Sequence, residues 1–170
     1  HFSQYVWNAR LKTIRKYVKS GNLLDVGCSF GGFLKSASRY FTVYGIEPSE
    51  YSGKYAQQRF GNDVIHVGTL FDHPFTENTF SVITMIEVLE HIRNPREALN
   101  ECYRLCKDKG LLVIQTANMA GLQAKLQKQK YGYFLPGHFS YFTKKNLTLT
   151  LIQIGFRHVT VYQPVDFGLL

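Results

Sequence analysis

Two acidic side chains, Asp25 and Glu47, each stand at the end of an apolar run of the sequence. Small residues from Gly27 to Gly31 follow the first acid, and this pattern predicts a buried parallel strand that turns tightly into a helix. The second acid marks the tip of the neighbouring strand. Open α/β sheets hold nucleotide-like ligands between such strand ends. The crevice therefore suits a ligand with donor and acceptor ends, such as a zwitterion joined to a ribose.

The turn resembles motif I of class I S-adenosylmethionine-dependent methyltransferases, whose pattern is acid-x-Gly-x-Gly-x-Gly. This chain has serine at the middle glycine, and serine tolerates a positive φ less well than glycine does. The resemblance implies that the first acid and the turn face the methionine part of S-adenosylmethionine, and that the second acid holds the ribose hydroxyls. The cofactor-binding residues implied here are Asp25, Gly27, Cys28, Ser29, Gly31, Glu47 and Pro48.

A second stretch resembles the fourth-strand motif of the same family. The apolar run Phe80–Ile86 leads into a cluster of two acids and a histidine, where the family commonly has a Leu-Glu-His sequence. The resemblance implies that Met85, Ile86 and Glu87, at the strand end, line the methyl-donor pocket. S-adenosylhomocysteine is then the product that leaves this pocket.

Two nearby features bear on the adenine and on a metal. The family usually has Gly-Asp before the fourth strand, with the acid beside the adenine amine, whereas this chain has Thr69 and Leu70. Threonine can still form a hydrogen bond there, and Leu70 can pack on the purine face.

Some quinone-pathway relatives are thought to hold a divalent metal at a group like Glu87, Glu90 and His91. The helix macrodipole alone favours an acid at a helix start, and we expect no metal site.

An aromatic segment, residues 131–142, follows the fifth predicted strand, and six of its twelve residues are Phe or Tyr. It resembles the place where the family inserts substrate-covering elements, so we expect an insertion over 119–142 that roofs the pocket. A satellite hydrophobic cluster that pins the last helix is the structural alternative. His138 lies in this segment and is the candidate catalytic base for an acceptor of high pKa, with His91 second.

These motifs predict methyl transfer to a small or medium acceptor, and a hydroxyl acceptor fits a resemblance to ubiquinone-biosynthesis O-methyltransferases. Two alternatives stay open. One is a non-catalytic module that binds the cofactor or a partner. The other is a nicotinamide-dependent oxidoreductase, which shares the glycine turn and the later acid. It is disfavoured because no window reads Gly-x-Gly-x-x-Gly and because Asp25 would repel a pyrophosphate.

Alternating strand and helix patterns predict an α/β fold in a single domain over residues 1–170. We expect the Rossmann-like class I methyltransferase sandwich, with a mostly parallel sheet of six to seven strands and helices on both faces. The predicted strands are Asn22–Val26, Thr42–Glu47, Asp63–Val67, Phe80–Ile86, Gly110–Thr116 and Arg157–Gln163. The predicted helices are Tyr5–Lys19, Gly32–Tyr40, Glu50–Phe60, Pro95–Lys107 and Lys144–Ile154.

The chain is basic, with a net charge of +8. The first group of basic residues, from Arg10 to Lys19, flanks an apolar stripe at helical spacing, and this pattern indicates mostly a solvated helix face. The alternative is that this basic face binds nucleic acid or an acidic lipid surface. No apolar stretch is long enough to span a bilayer, and three cysteines cannot all pair, so we expect reduced thiols in a cytoplasmic protein. The sequence stops before a convincing seventh strand, and three alternatives stay open: a truncated chain, an edge strand covered in another way, or an exposed edge strand that pairs two copies in a homodimer.

Overall fold

A five-stranded parallel sheet organises the chain, with its strands in the order β3-β2-β1-β4-β5. The computed structural model describes residues 2–127 and 130–162. The strands are β1 (Asn22–Val26), β2 (Thr42–Glu47), β3 (Ile65–Val67), β4 (Phe80–Ile86) and β5 (Cys106–Gln115). The helices are α1 (Phe2–Tyr17), α2 (Gly32–Ala37), α3 (Glu50–Phe60), α4 (Pro95–Leu105), α5 (Leu122–Gln127) and α6 (Lys144–Ile154), with a 3₁₀ turn at Leu89–His91.

The central strand β1 explains why the first motif is apolar up to its acid. Its successive side chains point to opposite faces of the sheet, so Leu23 and Leu24 enter different core clusters and both are fully buried. Helices cover both faces of the sheet, so neither face of this strand is solvated, and Leu23, Leu24 and Val26 are all buried. The register pairs Asp25 with Thr84 of β4 at the carboxyl edge.

Helices cover both faces of the sheet, as the sequence predicts. On one face, Leu11 and Ile14 of α1 pack with Leu34 of α2. On the other face, Leu99 of α4 and Leu151 of α6 lie in the second cluster. The strand order reverses beside β1, and this reversal opens a crevice at the carboxyl ends of β1, β2 and β4. Among the described residues, no helix has both the length and the apolar character that a membrane crossing requires.

The chain after α6 departs from the prediction. The strand predicted over Arg157–Gln163 does not form in residues 157–162, and Gln163 lies outside the described residues. The described sheet therefore has five strands and not six to seven. The side chains of Phe156 and Val159 pack against the core beside α4 and α6, while Arg157 reaches Asp108 at 3.4 Å. Core packing by separate side chains holds this segment without ladder pairing.

Strand β5 begins at Cys106 and not at the predicted Gly110. Phe80 pairs with Cys106, whereas Val82 pairs with Leu111, so the register shifts between these two pairs. The residues between Cys106 and Leu111 are accommodated by this irregularity. Gly110, at which the strand was predicted to begin, therefore lies within the irregular part of β5.

Candidate active site

Three acidic side chains lie at the carboxyl edge of the sheet. Asp25 belongs to β1, Glu47 ends β2, and Glu87 directly follows β4. Because the three strands are adjacent and parallel, their ends share one edge. The three groups interact electrostatically: Asp25 with Glu47, and Arg10 of α1 with both Asp25 and Glu87. The crevice is therefore acidic, with one arginine directed into it.

The turn after β1 has a left-handed backbone at Gly27, Ser29 and Gly31, with φ values of 75°, 50° and 74°. Serine thus adopts a conformation that favours glycine at the position where the family has glycine. A Cβ at Gly27 would lie 2.4 Å from Cγ2 of Val88, and one at Gly31 would lie 2.5 Å from Cε2 of Phe60. The protein's own packing therefore requires both glycines, in addition to any need of a cofactor for close approach.

The carboxylate of Glu47 fastens two loops together. Its Oε2 accepts the backbone N–H of Ser29 at 2.8 Å, and its Oε1 accepts that of Ser49 at 2.9 Å. These two bonds hold the turn after β1 against the start of α3, next to the exposed Pro48. Each carboxylate oxygen has a second lone pair, so ribose hydroxyls remain compatible with this arrangement. The ribose role of Glu47 stays a prediction.

Asp25 is a buried carboxyl group whose ionisation the protein opposes. Burial raises its pKa to about 7, and the nearby Glu47 adds to the rise. The hydroxyl of Thr84 donates to its Oδ1 at 2.6 Å, and the charge of Arg10 acts in the same direction, so both partly offset the burial. A cationic ligand group beside Asp25 would restore its charge.

A polar chain crosses the crevice from α1 to the aromatic segment. Arg10 donates from Nε and Nη2 to Oε1 of Gln115, at 3.1 and 2.8 Å. The amide nitrogen of Gln115 donates to Oε1 of Glu87 at 2.9 Å, and the hydroxyl of Tyr133 donates to Oε2 at 3.2 Å. Burial lowers the pKa of Arg10, while Glu87 and Asp25 oppose that shift.

This series of hydrogen bonds was not predicted from the sequence, because Arg10 has the same spacing as the solvated cations of α1. Glu87 itself has a φ of 54°, a left-handed conformation that is uncommon for glutamate. Its N–H donates to the carbonyl of Gln115 at 2.9 Å, so backbone and side chain both bind the same neighbour. The backbone conformation therefore aims the Glu87 carboxylate across the end of β5 and towards Tyr133.

The aromatic segment over 131–142 (the roof segment) has an inner and an outer part. Tyr131 is buried, and its ring centroid lies 5.6 Å from that of Tyr133. Burial raises the pKa of Tyr133 to about 12, and the charge of Glu87 contributes. Phe139, in contrast, is half exposed and carries the guanidinium of Arg93 at 4.4 Å from its ring centroid. The inner face is therefore polar-aromatic and not purely apolar.

Two histidines meet at the edge of the roof segment. His91 and His138 have ring centroids 4.6 Å apart. Their Nδ1 atoms lie 3.0 Å from the carbonyl of Gly137 and 2.8 Å from that of Tyr133. A carbonyl accepts only from an N–H, so each Nδ1 carries hydrogen, and in the neutral ring the lone pair lies on Nε2. His138 therefore has the tautomer that a base requires, and its catalytic role stays a prediction.

A cluster of Glu90, His91 and His138 has the composition of a metal site. One potential ligand atom of each lies within 4.8 Å of the others. Imidazole nitrogens whose second nitrogen binds a backbone carbonyl are typical zinc ligands. Such a set could hold a divalent ion, whereas the sequence indicated no metal. The acid-acid-histidine group considered in the sequence has Glu87 in the place of His138. In the structure, Gln115 and Tyr133 donate hydrogen bonds to the Glu87 carboxylate.

Three side chains predicted to border the cofactor lie inside the protein. Cys28, Leu70 and Met85 are all buried, and Leu70 and Met85 belong to the core cluster beneath α4. Their backbone atoms can border a ligand, but Leu70 packs against protein and does not offer its side chain to a purine. Ile86, which is half-buried, remains accessible at the end of β4.

The loop predicted to contact adenine contains an acid after all. The N–H of Thr69 donates to Oδ1 of Asp72 at 2.7 Å, and Nε2 of His66 lies 2.9 Å from the same oxygen. His66 and the Thr69 amide lower the pKa of Asp72 by hydrogen bonding, with the His66 contribution the larger. Thr69 is therefore a loop-forming residue, and the same loop has a carboxylate three residues later, at Asp72.

Comparison with known proteins identifies the family. A family model described as a methyltransferase domain matches residues 1–161. An uncharacterised protein of Methanocaldococcus jannaschii is 22% identical, over 96% of this chain and 80% of that protein. A ubiquinone biosynthesis O-methyltransferase of Actinobacillus pleuropneumoniae is 35% identical, over 56% of this chain and 45% of that enzyme. A SAM-dependent methyltransferase structure from Archaeoglobus fulgidus has a TM-score of 0.74 at 22% identity, over 91% and 69% of the two chains.

The chain thus spans less than half the length of the ubiquinone-pathway enzyme. The family match removes the nicotinamide alternative, because it covers the glycine turn and both strand-end acids together. S-adenosylmethionine is the methyl donor of this family. The chain belongs to the methyltransferase domain family and is a class I S-adenosylmethionine-dependent methyltransferase domain.

Proposed function

We propose that this chain transfers a methyl group from S-adenosylmethionine to a small or medium-sized acceptor held beneath the roof segment. The observation that carries the proposal is the alignment of Asp25, Glu47 and Glu87 at adjacent strand ends, with the tight turn after β1 beside them. Bound S-adenosylmethionine supplies an electrophilic methyl group on a sulfonium. The residues described below bind and align the two partners and keep water away.

Charge complementarity supports an assignment of the residues that bind the amino-acid end of S-adenosylmethionine. Asp25 is buried, and its pKa lies near 7, so an ammonium beside it would gain a charge-assisted hydrogen bond. Arg10 reaches into the same crevice and would balance the carboxylate of the amino acid. Glu47 would hold the ribose hydroxyls with its remaining lone pairs. These three roles use both ends of a zwitterion joined to a sugar.

The acceptor side lies between Glu87 and the inner roof segment. The Tyr133 hydroxyl bound to Glu87 ties the roof segment to the end of β4. His138 keeps a lone pair on Nε2 and can take a proton from a hydroxyl or amine acceptor. A His138→Ala variant is expected to lose about 10²–10⁴-fold in rate if this proton transfer is needed. A normal rate at neutral pH would leave alignment alone as the source of catalysis.

A transfer assay with methyl-labelled donor tests the proposal. The protein is incubated with labelled S-adenosylmethionine and a panel of small amines, phenols and alcohols, and S-adenosylhomocysteine binding is measured in parallel by calorimetry. Transfer to at least one acceptor is the expected result. Binding of S-adenosylhomocysteine without any transfer would instead favour the non-catalytic module. We also propose a cytoplasmic location, which the three buried free cysteines support.

A further inference from the structure

The carboxylate of Glu90 is the most exceptional polar group near the acceptor side. The residue is 3% exposed, and neither carboxylate oxygen has a hydrogen-bond partner among the described residues. Buried carboxylates are normally paired, because an unpaired one loses its hydration without compensation. The backbone of Glu90 is well satisfied, since its carbonyl accepts the N–H groups of Phe139 and Ser140 at 2.8 and 3.2 Å. The side chain alone lacks a partner.

The surroundings of this carboxylate are acidic and aromatic. Burial raises the pKa of Glu90, and the neighbouring Glu87 raises it further, whereas Thr116 acts in the opposite direction. Glu87 and Thr116 are close enough to act on the Glu90 charge, yet neither makes a hydrogen bond of ordinary geometry with it. Arg10 gives its hydrogen bonds to Gln115. The described part of the chain thus provides no cation that pairs with Glu90.

Aromatic rings stand beside the two acids. The rings of Tyr133 and His138 lie 6.0 Å apart between centroids, and those of His138 and His91 lie 4.6 Å apart. An oxygen of Glu90 lies within 4.8 Å of a ring nitrogen of each histidine. Rings combined with a carboxylate recognise organic cations, through cation–π attraction and a charge-assisted hydrogen bond.

We propose that the acceptor is an amine, which enters as an ammonium and donates its N–H groups to Glu90 beneath Tyr133 and His138. This inference rests on the proposed methyl transfer and names its substrate class. An ammonium would satisfy both unpaired oxygens, whereas an alcohol offers a single donor and leaves the charge unmatched. The unpaired Glu90 carboxylate therefore favours an amine acceptor over the hydroxyl acceptors that the ubiquinone-pathway resemblance implies.

The chemistry balances with the groups present. The ammonium first loses one proton to solvent water, and the neutral amine nitrogen then uses its lone pair to form a bond to the methyl carbon. The carbon–sulfur bond breaks, and its electron pair stays on sulfur. The products are S-adenosylhomocysteine and the methylated ammonium, which leaves as the cation. No oxidant, reductant or further reactant is needed.

Calorimetric titration of the S-adenosylhomocysteine-loaded protein tests the inference with amines and alcohols of matched shape. Suitable pairs are benzylamine with benzyl alcohol, and 2-phenylethylamine with 2-phenylethanol. At least one amine should bind about tenfold or more tightly than its alcohol. Glu90→Gln should abolish this preference while leaving S-adenosylhomocysteine affinity unchanged. Glu77→Gln neutralises an exposed acid outside the site and is the matched control.

Each other outcome overturns a defined claim. If S-adenosylhomocysteine binds but no amine exceeds its alcohol, or if Glu90→Gln keeps the preference, the amine inference is wrong. If S-adenosylhomocysteine itself does not bind, the proposed function fails first. A titration with Mg²⁺ or Zn²⁺ alone tests the alternative that Glu90 binds a metal ion. Metal binding that depends on Glu90 and that is required for transfer would assign this carboxylate to an ion, and the amine inference would fall.

Discussion

Replacing Asp25 by Asn should stabilise the protein without cofactor and weaken cofactor binding. The substitution keeps the shape and an oxygen that accepts from Thr84 but removes a charge that burial opposes. Burial raises the pKa of Asp25 from 3.8 to about 7. This is a rise of roughly three pH units, and at about 1.36 kcal/mol per unit it sets an upper bound of about 4 kcal/mol.

The sign of the effect follows from proton binding. Between pH 4 and pH 7 the unfolded chain has released the Asp25 proton, whereas the folded protein still holds it. Unfolding therefore releases a proton, and wild-type stability falls as pH rises through this window. The stability advantage of Asp25→Asn should grow from near zero at pH 4 to about 2–4 kcal/mol at pH 8. Asp63→Asn, which changes an exposed acid, should show no such trend.

Urea unfolding followed by the fluorescence of Trp7, the single tryptophan, measures this difference at several pH values. In parallel, S-adenosylhomocysteine affinity should fall about 10–100-fold in Asp25→Asn, which loses a charge-assisted hydrogen bond. Wild-type affinity should decrease below pH 7, because binding an ammonium then requires Asp25 to release its proton. A variant that is less stable than wild type at pH 8, or that binds the ligand equally well, would refute the reasoning.

Three further substitutions probe the rest of the site. Glu47→Ala leaves the Ser29 and Ser49 amides without their acceptor, and both the melting temperature and S-adenosylhomocysteine affinity should fall, with the affinity reduced about 10–100-fold in calorimetry. Gly31→Val places branched carbons against Phe60 at a left-handed φ and should destabilise by about 2–5 kcal/mol in urea unfolding, so an unchanged midpoint would contradict the packing. Tyr133→Phe should lower kcat and keep cofactor affinity; a larger loss in Phe139→Ala would place the outer ring in the site instead.

The strand ends were predictable because buried parallel strands have a simple signature. Apolar runs that end in Asp25 and Glu47 can be read directly, and parallel strands bring such ends to one edge. The roof segment was also visible as an aromatic run, but its two faces were not. Tyr133 bonds to Glu87 and Phe139 stacks with Arg93, and such a division depends on tertiary contacts between distant parts of the chain.

Other features were not predictable because they depend on partners distant in sequence. Arg10 has the spacing of a solvated cation, and only the packing of α1 over the sheet brings it to Gln115. Leu70 follows a strand like a ligand-facing residue, yet it belongs to the core. The apolar residues after α6 predicted a strand, but Val159 contributes to the core beside α6 without ladder pairing. The local sequence pattern indicates whether a residue is exposed or buried, but it does not indicate which helix or strand will pack against that residue.

Calorimetric titration of S-adenosylhomocysteine into the wild-type protein at pH 8 tests the central claim most directly. The account predicts saturable binding at one ligand per chain, with the Asp25→Asn and Glu47→Ala variants weaker and the Asp63→Asn control equal to wild type. Equal binding by all four proteins would show that the ligand lies away from these strand ends. No binding by the wild-type protein would contradict the assignment of this crevice to S-adenosylmethionine.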